Sequence, residues 1–208
     1  SDLIGARKIL GAYNVNLNTT SVKLAKEVAK RIRQSGYVNS QGMRVQGTLH
    51  SVKAIGWYIE DFKQAQVSMN LVDIDKTPIH IAFDEVCTEA QKLGVRVTGS
   101  ELIGLIPLQA MLDAGNYFLK KQGIATAGVS EDELINMAVK SLGLSDVVPF
   151  NPDEKIIELA LKKPFTHEYT QKTLRKFLHS LASQEAVPGG GSVSAMVAAL
   201  SAALAQMV

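Results

Sequence analysis

Cysteine is almost absent from these 208 residues, Cys87 standing alone. One thiol excludes an intrachain disulfide framework and every CxxC metal site, and it fits a reducing, cytoplasmic setting. Its place on an apolar helical stripe marks it as a buried structural thiol. Charge of one sign is also scarce: a net charge of +2 with 20% charged residues argues against a protein that coats nucleic acid. The first sixty residues nevertheless hold nine Lys/Arg against three acids, a bias that draws an anionic ligand. A membrane-spanning helix needs about 20 apolar residues. The apolar run over 193–208 is shorter and contains Ser194, Ser201 and Gln206, so no membrane is expected. That run stops without a cap, which reads as a cut through a longer protein, and no secretory signal follows Ser1.

Nucleotide and metal motifs are missing too. The loop Pro188-Gly189-Gly190-Gly191-Ser192 lacks the Lys of a P-loop and the spacing of a dinucleotide fingerprint. At a helix start its free N–H groups suit an anion, and a tight helix-to-helix corner is the alternative. His50, His80, His167 and His179 form no HExxH or triad arrangement, so no metal is expected. His80, in the first turn of its helix, reads as a capping or packing residue, with ligand contact as the alternative.

What the chain does have is alternation between apolar and amide side chains. Asn14, Asn16 and Asn18 share one parity in AYNVNLN, and Gln64, Gln66, Ser68 and Asn70 share one in QAQVSMN. A strand face that merely meets water carries Lys, Glu and Thr. Uncharged amides at period two suggest a face that hydrogen-bonds a ligand.

The periodicities predict strands at 6–18, 44–60, 64–73 and 95–100, the second and third forming a hairpin. Helices are predicted from Thr20 and from Thr77-Pro78, with Thr77 as N-cap and Gly94 closing the second. The order β-α-β-β-α-β is the split pattern of ferredoxin-like α+β folds, with both helices on one sheet face. Val15, Leu17, Ile55, Trp57, Val67, Met69, Val95 and Val97 are expected to meet the helices. The open face is then expected to carry Asn14, Asn16, Ala54, Gly56, Gln66, Ser68, Asn70, Thr98 and Ser100. Glu101, after the last strand, reads as a loop acid within reach of a ligand. Extra helices follow: one opened by Pro107, one opened by a Ser130/Glu133 capping box and closed near Gly143, and a short one in FNPDEKIIELALKK. A linker is read at 162–169, and 170–208 as the start of a truncated all-α unit after a domain over 1–161.

Five segments together carry a resemblance: GARKILGAYNVNLN (5–18), IGWYIEDFKQAQVSMNLVD (55–73), TPIHIAFDEV (77–86), VTGSELIGLIPLQAMLDA (97–114) and LGLSDVVPFNPDEKIIE (142–158). They resemble the C-terminal subdomain of the glutamate formimidoyltransferase family. TLRKFLHSLASQEAVPGGGSVSAMVAAL (173–200) is similar to the opening of the formiminotetrahydrofolate cyclodeaminase domain, which is fused to the transferase in the bifunctional members.

The resemblance implies transfer of a formimino group from N-formimino-L-glutamate to tetrahydrofolate in histidine breakdown, folate being a co-substrate. It implies two subdomains whose open sheet faces enclose a tunnel, with Asn14, Asn16, Gln66, Ser68 and Asn70 as wall and Ser100 and Glu101 at one mouth. No histidine here matches the family's general base, which belongs to the N-terminal subdomain, so the 208-residue chain is expected to be inactive alone. A homo-oligomer is implied as well. The basic helix carrying Lys23, Lys26, Lys30 and Arg33 reads as a solvated surface, with polyglutamylated folate as the alternative. Two other uses of the topology remain: a non-catalytic sensor of small molecules, and RNA binding, for which the open face offers only Tyr58.

Overall fold

The computed structural model describes residues 8–162, 174–182, 193–194, 196–198 and 201, which fall in two compact units, Ser1–Lys162 and Lys163–Val208. In the second unit the longest described element is a helix at Leu174–Leu181; of the linker predicted at 162–169 only Lys162 is described, as the last residue of a helix, and the Gly189, Gly190, Gly191 and Ser192 loop lies outside the described residues.

The first unit is mixed α/β. Strands β1 (Gly11–Leu17), β4 (Val52–Ile59), β5 (Gln64–Leu71) and β6 (Val97–Ile103) form one sheet in the order β4-β5-β1-β6, every pair antiparallel. Helices α1 (Val22–Ile32) and α2 (Ile79–Lys92) bury Ala25, Val28, Ala29 and Ile32, and Ala82, Val86 and Ala90, in the same core as Tyr13, Val15, Val67 and Met69. Ser21 caps α1, its Oγ accepting from Leu24 N at 3.4 Å. Two short strands, β2 (Tyr37–Val38) and β3 (Arg44–Val45), make a separate ribbon, so the predicted strand at 44–60 is interrupted. The interruption lets Thr48 N and Leu49 N bond the carbonyls of Arg31 and Ile32, which satisfies the end of α1.

Helices α3 (Leu108–Lys121) and α4 (Glu131–Leu142) pack on each other. The capping box at Ser130/Glu133 is present, and α4 closes on Gly143 in the left-handed region at φ 59°. The short helix splits into α5 (Pro152–Lys155) and α6 (Ile157–Lys162), because Ile156 bridges to Ile106. Thr77 is not the N-cap of α2. Pro78 holds that position, and the Thr77 hydroxyl donates instead to His50 O at 2.6 Å.

Two strands differ in facing from the sequence expectation. In β4 the pairing sets Ala54 opposite Met69 and Gly56 opposite Val67, so the small residues meet α1 while Ile55 and Trp57 point to the open side. They are 58% and 40% exposed, against 4% for Ala54. The cause is close helix approach: a Cβ on Gly56 would lie 2.2 Å from Lys26 N and 2.3 Å from Ala25 C, so no larger side chain fits. In β6 a register shift between Asn16 and Leu17 leaves Thr98 as an extra residue. This bulge reverses the parity beyond it. Ser100 therefore faces the helices beside Val15, and Glu101 lies within the strand on the open side, not in a loop.

Candidate functional site

The open face is ordered by the pairing register into rows that run across all four strands. One row reads Lys53-Asn70-Ala12-Ile103, the next Ile55-Ser68-Asn14-Glu101, the next Trp57-Gln66-Asn16-Gly99. Residues directly opposite in adjacent strands share a face, so each row is a line of neighbouring side chains.

The third row is a continuous hydrogen-bond relay. The Trp57 indole N–H donates to Gln66 Oε1 at 3.1 Å, and Gln66 Nε2 donates to Asn16 Oδ1 at 2.6 Å. Asn16 Nδ2 then donates to Asp146 Oδ2 at 3.3 Å, an oxygen that also accepts from the Thr98 hydroxyl at 3.3 Å. Asn16 and Gln66 are fully buried by this arrangement. They are not free ligand donors: burial without partners costs an amide several kcal/mol, and the relay supplies the partners. They fix the tilt of Trp57 and the position of Asp146.

The second row is less exposed than the first: Ile55 is exposed, but Asn14 is buried, at 6% exposure. Asn14 donates to Glu101 Oε2 at 3.5 Å, the outer limit of a hydrogen bond, and Ser68 and Glu101 are half-buried. Asn70 in the first row is exposed, as is Lys53. A cleft of about 680 Å³ continues past Lys53 between Gln34, Arg44, Gln46 and Ser51, which adds a second cation at that end. Asn18 lies past β1 and spends its Oδ1 on Arg96 N at 2.8 Å.

Ser100 supports the face from behind. Its Oγ accepts from the Tyr13 hydroxyl at 2.8 Å and donates to Leu142 O at 2.6 Å, while its N–H bonds Gly143 O at 2.9 Å. The segment that follows α4 is thereby tied to the edge of β6. Asp146 then lies over Gly99, where a Cβ would come within 2.3 Å of its Cβ. Burial pushes the Tyr13 phenol pKa upward, so this buried bond stays neutral.

His80 is on the other side of the sheet, 7% exposed, its ring 4.6 Å from that of Tyr117. Burial lowers its pKa, and its Nδ1 has no partner among the described residues. The Cys87 thiol is pushed up to about 11 by burial, which makes it inert at neutral pH. No histidine or cysteine occupies any position of the four strands that form this face.

Sequence reasoning missed Trp57, Ile55, Lys53 and Asp146 as members of this face. For the three β4 residues a signal existed. The connection Glu60-Asp61-Phe62-Lys63 has four residues, which pairs odd positions of β4 with even positions of β5. Asp146 is contributed by a distant segment and carried no signal.

A family profile described as formiminotransferase domain matches residues 12–162, and one described as formiminotransferase-cyclodeaminase matches residues 173–208. The formimidoyltransferase-cyclodeaminase of Sus scrofa is 41% identical over 205 residues, which cover 98% of the chain and 37% of that protein. The protein of the same name from Gallus gallus is 42% identical over the same shares. The glutamate formimidoyltransferase of Thermoplasma acidophilum is 37% identical over 134 residues, 64% of the chain and 41% of that protein. The chain thus spans well under half the length of these relatives. With about three quarters of its residues inside the first match, the chain belongs to the formiminotransferase domain family.

Proposed function

We propose that the open sheet face is one wall of the substrate tunnel of a folate-dependent glutamate formimidoyltransferase. The reaction would move the formimino group of N-formimino-L-glutamate to tetrahydrofolate, with a fused cyclodeaminase acting on the product. One observation carries the reading: both helices lie on one side of the sheet, and the other side presents Asn70, Lys53, Ser68, Glu101 and the Trp57 indole over the buried amides of Asn14, Asn16 and Gln66. Pterin rings and carboxylates ask for hydrogen-bond donors and acceptors set on a rigid frame, and a sheet with a fixed register provides that frame. The strand order and connections support a ferredoxin-like topology for residues 1–161. With 162–169 as a linker, 170–208 would open the helical cyclodeaminase-like unit.

Within the wall, Ser68, Asn70, Asn14 and Glu101 are the contact residues. Asn16 and Gln66 hold the frame, and Ser100 braces β6 from behind. Gly189, Gly190, Gly191 and Ser192 remain an anion-loop proposal on sequence grounds alone. The basic end at Lys53 and Arg44 suits the carboxylates of the substrates. A cytoplasmic homo-oligomer without a metal completes the proposal.

Proton transfer needs a group near the reacting nitrogen, and none of the four strands of the face carries a histidine. The 208-residue chain assayed by itself is accordingly expected to give no formimidoyl transfer above the uncatalysed rate. The full-length protein is expected to turn over, and to lose at least a hundredfold in kcat/KM on Ser68→Trp, which places a bulky ring between Ile55 and Asn14 in the second row. Turnover by the 208-residue chain, or an active Ser68→Trp enzyme, would contradict the reading.

A further inference from the structure

We propose that Glu101 is the specificity residue for the donor, its carboxylate holding the cationic amidine of the formimino group. The inference rests on the face being the transferase wall and adds to it which residue distinguishes an amidine from a neutral acyl group.

Three observations lead there. Glu101 occupies the middle of β6 on the open side because of the bulge at Thr98, so its position is fixed by the sheet and not by a loop. The only hydrogen bond to its carboxylate among the described residues is the 3.5 Å contact from Asn14 Nδ2, and it forms no ion pair there. Lys53, the cation on the same face, sits three strands away, roughly 14 Å at about 4.8 Å per strand. The second carboxylate of the face differs in this respect: Asp146 Oδ2 is engaged by Asn16 and Thr98. A half-buried carboxylate fixed on a strand, with most of its acceptor capacity left open by protein groups, is placed to take a cationic donor.

A formimino group attached to an amino acid is an amidine, which carries a positive charge delocalised over two nitrogens at neutral pH. Its two N–H groups lie in one plane and match the two oxygens of a carboxylate, as a guanidinium does. Asn14 would then orient Glu101 from the side, and the neutral formyl analogue would lack both the charge and one of the donors. Specificity of this kind comes from the cost of leaving the carboxylate unpaired against the wrong donor.

The test uses the full-length protein with N-formimino-L-glutamate as substrate and N-formyl-L-glutamate as the neutral competitor. Glu101→Gln is isosteric and can still accept from Asn14. It is expected to raise KM for the formimino donor at least tenfold while moving the inhibition constant of the formyl compound less than twofold. Glu101→Asp, which retains the carboxylate, should recover most of the loss. Equal effects on both compounds, or no change in the formimino KM, would overturn the assignment of Glu101. If that happens while Ser68→Trp still abolishes turnover, the wall survives and only the specificity residue is wrong. An active Ser68→Trp enzyme would instead remove the wall itself.

Discussion

Gly56→Val is expected to destabilise the first unit by about 3 kcal/mol or more, the upper end of overpacking costs, and to leave little folded protein at 37 °C. Even a single Cβ at this position would overlap Lys26 N, Ala25 C and Ala25 O, all backbone atoms of α1, so no rotamer change relieves it. Either the helix lifts from the sheet or β4 leaves its pairing. The neighbouring change Ile55→Ala is the control, because Ile55 is 58% exposed on the other side. A buried isoleucine would cost about 2–5 kcal/mol on truncation, whereas this one should cost less than about 1 kcal/mol. Denaturant midpoints for the two variants decide the facing of β4. A large loss for Ile55→Ala together with a tolerated Gly56→Val would reverse it.

Gln66→Leu is expected to cost about 2 kcal/mol, although leucine is apolar and close in size. The fully buried Asn16 would lose the 2.6 Å donor to its Oδ1, and an unsatisfied buried acceptor costs about 1–3 kcal/mol. Trp57, 40% exposed, would lose its acceptor to water at smaller cost. The relay makes a sharper statement than the single change. Removing both amides with Gln66→Leu and Asn16→Val should cost less than the sum of the two, with a coupling of about 1 kcal/mol or more in a double-mutant cycle. Additivity within about 0.5 kcal/mol would mean that the two side chains do not act as one unit.

The two expectations concern the same lesson about legibility. The element order, the capping box at Ser130 and the end of α2 at Gly94 were readable because each rests on local chemistry: period, side-chain capping, and a residue that accepts a positive φ. The parity of β1 and β5 was readable because their amides alternate cleanly with aliphatics. The facing of β4 was not, since AIGWY reverses the usual order: its large residues point outward and its small ones lie under a helix of Ala25 and Ala29 that approaches unusually close. The spacing between helix and sheet, not side-chain size, decides which residues of β4 are buried. The bulge in β6 was also hidden. VTGS offers a glycine but no sign of which residue is extra, and one residue moves Ser100 inward and Glu101 outward.

These differences change how the candidate site works. Asn16 and Gln66 are structural partners of Trp57 and Asp146, which leaves Ser68, Asn70, Asn14 and Glu101 as the proposed contact residues.

The most direct measurement of the central claim is a titration of the isotopically labelled 208-residue chain with tetrahydrofolate, followed by nuclear magnetic resonance of the side-chain amide groups and the single indole N–H. The account predicts saturable shifts of Asn14, Asn70 and Trp57 on the open face, with the backbone amides of Ala25, Ala29 and Val86 behind the sheet unmoved. Shifts confined to α1 and α2, or a response of Lys23 and Lys26 that salt abolishes while the open face stays silent, would contradict it.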